Sequence, residues 1–583
     1  MTVVTPALRI RLKTLLEVIY PELDSEALVE QTIAAFWPDD NRPTPHPREP
    51  GNSLWSEQDA LVICYGDSVN DSEGDDAPLE TLRRFLFEHA AETISSVHIL
   101  PFFPYTSDDG FAVSDYYSVD PRLGDWTHIS AIASRFRLMA DLVLNHCSSG
   151  GAWFDAYREG VAPYDEYFFE GSADADLSAV VRPRTNPLLR PVPTAHGLKN
   201  VWCTFSHDQV DLNFENPAVL FEFLRIMRRY LDAGISILRL DAVAFLWKVP
   251  GTPCIHLPQT HAIIKLLRVL CDFNAEPVIL ISETNVPNAE NLSYFGNRDE
   301  ANVIYNFSLP PLITHALLTG NAQALVRWQM AMPPAQLGCA YLNFTASHDG
   351  IGVRPAEGLL TEAEINDMID AIRGFGGLVS MRDGPDGQPR PYEMNISFFD
   401  AMQGTLDGPD AHHLSRFLCS QTIVMALEGI PAFYLNALLG TANDLEGYER
   451  TKHNRSINRF RWPRARLEAA LDDADSVHHQ VFTELARRIR IRGRQKAFHP
   501  NATQFTLQLG DQLFAFWRQS MERDQSIFAL HNVSAEPLTL PTVNINLIGG
   551  ESWVDLFTDD PVDATYGEIT FAPYQCRWIT NRR

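Results

Sequence analysis

The chain has 583 residues, enough for several domains, and its 45% apolar and 21% charged content is that of a folded globular protein, which excludes a disordered or fibrous chain. Lys and Arg total 47 against 74 Asp and Glu, a formal net charge of −27, which disfavours nucleic acid and anionic membranes as partners. No apolar run is long enough to span a bilayer, and the N-terminus lacks the apolar core and cleavage site of a secretion signal, so a cytoplasmic location is expected. Residues 5–20 predict an amphipathic helix with Thr5 as cap, Pro6 in its first turn and Leu8, Leu12, Leu15, Leu16 and Ile19 on one face. A second helix is expected over 24–36, followed by a proline-rich connector containing Pro38, Pro43, Pro45, Pro47 and Pro50. Residues 1–55 thus read as an N-terminal helical extension with its linker.

From about residue 60 short apolar runs alternate with helical stretches. The runs are 60–66, 97–103, 138–145, 235–241, 277–283, 302–308, 340–347 and 430–435. Eight such units predict a closed parallel (β/α)8 barrel over 56–500. The long gap between the third and fourth runs predicts an inserted subdomain at about 150–215, and that between the seventh and eighth a long loop region at about 350–400. Five strand-like runs after residue 503 predict a small antiparallel β domain over 503–583. The eight cysteines are scattered, without metal-binding spacing, and read as buried thiols.

Active sites of such barrels lie at the C-terminal ends of the strands. There the runs end in polar residues: Asp141, Asn145 and His146 on the third, Arg239 and Asp241 on the fourth, Glu283 on the fifth, His348 and Asp349 after the seventh. Arg239 and Asp241 are two apart and share a strand face, so direct charge pairing is expected to hold Asp241 ionised. In an apolar pocket Glu283 would keep its proton to higher pH. One ionised nucleophile and one acid/base are what a retaining glycoside mechanism needs.

The segments DLVLNH, GISILRLDAVAF, ILISETN and FTASHDG resemble the signature regions of the α-amylase superfamily of glycoside hydrolases and transglycosylases. The resemblance implies Asp241 as nucleophile, Glu283 as acid/base and Asp349 as transition-state stabiliser, with His146, Arg239 and His348 at the sugar. VHILPFFPYTSDDGF, RPRTNPLL, TFSHDQVDLN and PYEMNISFFDA resemble the sucrose phosphorylase branch, in which inorganic phosphate completes the reaction. That likeness implies Asp109 as a glucose-gripping carboxylate, Phe111 as an aromatic wall, and Arg455, or its competitor Arg459, on another glucose hydroxyl. It places Arg184 on phosphate with Tyr392 as hydroxyl partner. Glu393 departs from the glutamine of sucrose phosphorylases and puts fructose recognition in doubt.

The expected partners are a small glucoside and inorganic phosphate, in a monomer or homodimer. Glucosylglycerol leads as donor, with glucosylglycerate, sucrose or sucrose phosphate as alternatives. An extra cation would be needed for the glycerate anion, and Glu393 stands against it. A hydrolase or transglucosylase such as a sucrose hydrolase, and an inactive amylase-like binding protein, are the competing readings. No metal and no organic cofactor are expected. Asn145 matches a calcium-binding position of α-amylases but is read as structural.

Overall fold

The computed structural model describes residues 4–582 apart from 39–42, 45, 48–53, 72–73, 173, 185, 384–387, 546 and 548–550. Much of the proline-rich connector, Pro45 and Pro50 included, lies outside the described residues.

Eight parallel strands close into a barrel: Leu61–Cys64, Ser96–Ile99, Arg137–Val143, Ile235–Asp241, Ile279–Ser282, Val303–Tyr305, Ala340–Asn343 and Ile430–Tyr434. Each falls within one of the predicted runs or starts a residue before it. Leu61 pairs with Ser96 on one side and Ala432 on the other, which closes the ring. These strands read as continuous apolar runs because both faces are buried, one by the barrel interior and one by the helices.

The two N-terminal helices, Pro6–Ile19 and Ser25–Phe36, add to the outer helical layer. Thr5 caps the first, its Oγ1 accepting from the Leu8 amide, and Leu8, Leu12, Leu16 and Ile19 are buried. They pack on the barrel helices Pro258–Asp272 and Pro217–Asp232. The Tyr20 hydroxyl donates to the carbonyl of Phe214. Leu15, expected on the buried face, is only partly covered.

Two excursions rise from the strand ends. Between the third and fourth strands lie the helix Ala152–Glu159, the hairpin Leu189–Thr194 with Gly197–Trp202, and the pair His146–Ser148 with Gln209–Asp211. Phe169, Leu188, Trp202 and Cys254 form a small core of their own. Between the seventh and eighth strands an antiparallel sheet of Ile351–Gly352, Pro389–Asn395 and Leu378–Asp383 stands beside the helix Glu362–Gly374. Sequence periodicity gave no sign of this sheet, whose strands are polar and half-exposed.

At the C-terminus a six-stranded antiparallel sheet takes in Thr503–Leu507, Leu513–Gln519, Ser526–Asn532, Cys576–Arg582, Ser552–Asp555 and Pro561–Val562 in spatial order. It is tied to the barrel through Arg518, which donates to the Ala426 carbonyl, and Arg416, which donates to the Tyr574 hydroxyl. Among the described residues no helix is long and apolar enough to cross a membrane. All eight cysteines are buried free thiols.

Candidate active site

Strand register builds the floor of the site. Asp141 on the third strand lies level with Arg239 on the fourth, and Val143 level with Asp241. Arg239 therefore reaches two carboxylates with one nitrogen: Nη1 lies 2.5 Å from Asp141 Oδ1 and 2.6 Å from Asp241 Oδ1. His98 on the second strand completes the chain, its Nε2 2.8 Å from Asp141 Oδ2. Burial pushes Asp141 up, but His98 and Arg239 outweigh it and bring the carboxyl down to about 2. For Asp241 the balance differs. Burial raises its carboxyl above the ordinary value and the Asp141 charge adds to that, while Arg239 opposes both. The expectation of simple pairing is thus corrected, because Arg239 is shared.

Glu283 follows the fifth strand, held at that level by its amide donating to the Leu240 carbonyl. Its Oε2 accepts from the Ala242 amide at 3.0 Å. Ala242 presents that amide from a left-handed backbone, φ 48°, a conformation rare outside glycine. Burial, joined by the Asp241 charge, pushes Glu283 up to about 7. Burial thus raises both carboxyls, and it is Asp241 that Arg239 hydrogen-bonds.

Asp349 faces cations. Arg455 Nη1 lies 2.6 Å from its Oδ1, and Arg459 Nη2 3.9 Å. Burial raises its carboxyl, but Arg455 and then Arg459 hold it below the usual range. His348 stacks on Phe111 with ring centroids 5.0 Å apart, and burial keeps its imidazole neutral well below the usual value. His146 Nε2 meets Gln209 Nε2 at 3.2 Å and the Phe111 carbonyl at 3.1 Å.

Arg455 and Arg459 take different protein partners. Arg459 pairs with Asp109 and donates to the His348 carbonyl. Arg455 serves Asp349 and forks onto Glu393, Nε to Oε1 at 3.0 Å and Nη2 to Oε2 at 2.8 Å. Asp108 and Asp109 both have positive φ, and Gly110 follows at φ 113°, where an added Cβ would lie 2.7 Å from the Pro101 carbonyl oxygen. That bend turns the SDDG loop into the site.

Part of this set borders one cavity of about 500 Å³, lined by Asp241, Glu283 and Asp349 below and by Arg182, Arg184 and Tyr392 above, whereas Asp109, Arg459 and Glu393 stand behind its lining residues. Phe111, His146, Arg239, His348 and Arg455 line it as well, as does Asp108 beside Asp109. The Arg184 guanidinium lies 5.3 Å from the centre of the Tyr392 ring, and among the described residues no carboxylate pairs with it. Sequence reasoning missed Arg354 and Arg382, which line the same cavity. Glu393 is buried, takes two nitrogens of Arg455 and accepts from Asn395 Nδ2 at 2.6 Å, so it is a paired carboxylate that shares its guanidinium with Asp349.

Asn145 sits outside the cavity in a buried net. Its Oδ1 accepts from Lys248 Nζ at 2.9 Å, and the same ammonium lies 2.8 Å from Asp211 Oδ2. Asp211 also accepts from the Thr204 amide and hydroxyl.

Residues 92–349 match the α-amylase catalytic domain. Over 527 residues the chain is 42% identical to the glucosylglycerate phosphorylase of Allomeiothermus silvanus, covering 90% of this chain and 91% of that one. The chain belongs to the α-amylase family. Within it, the chain is similar to several glycoside phosphorylases over most of its length. The glucosylglycerol phosphorylase of Marinobacter adhaerens is 28% identical over 455 residues, 75% of this chain and 87% of its own. The sucrose 6F-phosphate phosphorylase of Thermoanaerobacter thermosaccharolyticum shares the fold, with TM-score 0.72 and 22% identity over 90% of this chain and all of that one.

Proposed function

We propose that this α-amylase family member is a retaining α-glucoside phosphorylase whose donor is glucosylglycerate. In the first half-reaction an Asp241 oxygen attacks the anomeric carbon, the bond to the glycerate oxygen breaks, and that oxygen takes the Glu283 proton. In the second, inorganic phosphate displaces Asp241, Glu283 takes the proton that the phosphate loses, and α-glucose 1-phosphate leaves. Asp349, kept ionised by Arg455, stabilises the positive charge that develops on the sugar ring. Asp109 with Arg459, and the Phe111–His348 stack, hold the glucose.

The observation that carries the phosphorylase reading is Arg184: a cavity-lining guanidinium with no acid partner among the described residues, in a protein of net charge −27. A dianion entering among three carboxylates needs such a group.

Glucosylglycerol is the first choice of the sequence reading, and two observations move the preference to glucosylglycerate. The relative carrying that name is the more similar, 42% against 28% identical. The objection from Glu393 also weakens, since that carboxylate is turned onto Arg455, which it shares with Asp349. The deciding assay offers glucosylglycerate, glucosylglycerol and sucrose with inorganic phosphate. Glucose 1-phosphate released fastest from glucosylglycerate is the expected result. Free glucose alone, unaffected by phosphate, would make the protein a hydrolase.

A further inference from the structure

Arg354 and Arg382 belong to the excursion between the seventh and eighth strands, opposite in sequence origin to Arg184. Arg354 begins the short turn Arg354–Ala356, directly after Val353, whose amide donates to the Tyr392 carbonyl at 3.0 Å. Its position is therefore fixed to the residue that faces Arg184. The strand before it approaches Asn285, two residues past Glu283: a Cβ on Gly352 would lie 3.3 Å from Asn285 Nδ2. Arg354 and Asn285 line the cavity together, and Asn285 Oδ1 is buried without a hydrogen-bond partner.

Among the described residues no carboxylate pairs with Arg354. Arg382 gives Nη2 to Glu357 Oε1 at 2.8 Å, while its Nε is buried and unpartnered. Arg239 and Arg455 are spent on the site's own carboxylates. Arg182 donates to the Asn186 carbonyl, and Arg184 and Arg354 pair with no carboxylate among the described residues, which leaves both open to incoming anions. Two anions use the cavity in turn. The first is larger: its carboxylate sits one carbon beyond the glycosidic carbon of the aglycone, on the side where Glu283 delivers its proton.

We infer that Arg354, backed by Arg382, binds the carboxylate of the leaving glycerate and sets the preference for an anionic over a neutral aglycone. Asn285 Oδ1 is placed to accept from an aglycone hydroxyl. This rests on the glucosylglycerate reading. A planar guanidinium fork suits a carboxylate, and the pairing is worth about 1.5–3 kcal/mol where the partner is charged, so its loss costs roughly tenfold or more.

The test compares kcat/KM for glucosylglycerate with that for glucosylglycerol at saturating phosphate, in the wild type, Arg354→Ala and Arg354→Gln. The expected result is a fall of about tenfold or more in the charged-to-neutral ratio in both variants, with the KM for phosphate moving less than that for glucosylglycerate. Arg382→Ala lowers the ratio in the same direction by a smaller factor, and serves if the Arg354 variants do not fold. An unchanged ratio in these variants, or a phosphate KM that rises in step with the donor KM, overturns the inference and leaves the donor assignment standing. A wild type that releases no glucose 1-phosphate from glucosylglycerate fells the donor assignment and this inference with it.

Discussion

At the floor of the cavity His98, Asp141, Arg239 and Asp241 form a linear chain of pairs; on its walls Arg184 and Arg354 meet no carboxylate among the described residues. The floor is buried and paired before any substrate arrives, one guanidinium serving two carboxylates. Its charges are fixed by strand register, so their positions need no reorganisation when the reaction begins. The walls come from the two excursions and carry cations that an anionic ligand can complete. One region is made for the step that all α-glucoside donors share, the other for what distinguishes them. Loss on the floor is therefore expected to cost turnover, and loss on the walls to cost selectivity.

The sharpest break is Asp241→Asn. Release of glucose 1-phosphate is expected to fall by four orders of magnitude or more, on the order of what loss of a nucleophile removes elsewhere. Residual activity within tenfold of wild type would displace Asp241 from its role. Glu283→Gln comes next, with a loss of about 10²–10⁴ that shrinks for a donor whose leaving group needs no proton, such as glucosyl fluoride. The pH profile carries the same information. Glu283 must be protonated to cleave the donor, and its carboxyl titrates at about 7, so single-turnover glucosylation declines as pH rises through that value. Equal losses with both leaving groups, or a flat profile, would move the acid elsewhere.

Between floor and walls sits the Lys248 net. Lys248→Met leaves Asp211 as a buried carboxylate without its ammonium, and a loss of about 3–5 kcal/mol of stability is expected in the denaturant midpoint. A midpoint that stays put would show that the inserted subdomain does not lean on this pair. The smallest effect is expected on the wall. Arg184→Ala raises the phosphate KM by roughly tenfold to a hundredfold and shifts products toward free glucose. An unchanged ratio of phosphorolysis to hydrolysis would remove Arg184 from the phosphate.

The floor was legible in the sequence because a carboxylate closing an apolar run is conspicuous. Asp241 ends ISILRLD and Glu283 ends PVILISE, and burial of such groups without purpose is costly. His98, a polar residue inside VHILPFF, carried the same signal and was passed over. The walls were less legible. Arg354 and Arg382 stand in polar stretches with no period, where an arginine looks like any solvated arginine. Only the resemblance singled out Arg184. Lys248 hides in a loop after the fourth strand, and nothing in FLWKVP tells that its ammonium is buried. Glu393 was visible but its pairing was not, because its partner Arg455 lies 62 residues further along the chain.

Arg455 ties the two regions into one electrostatic unit. A single guanidinium touches Asp349 at a barrel strand end and Glu393 on the outer sheet. A substitution at 393 that admits a new acceptor also releases Arg455 toward Asp349, and so alters the grip on a glucose it never meets. Acceptor range in this scaffold is thus expected to change through coupled replacements at 393 and 455, with non-additive effects in the double variant. A library that varies 393 alone samples routes on which each gain at one end is paired with a disturbance at the other.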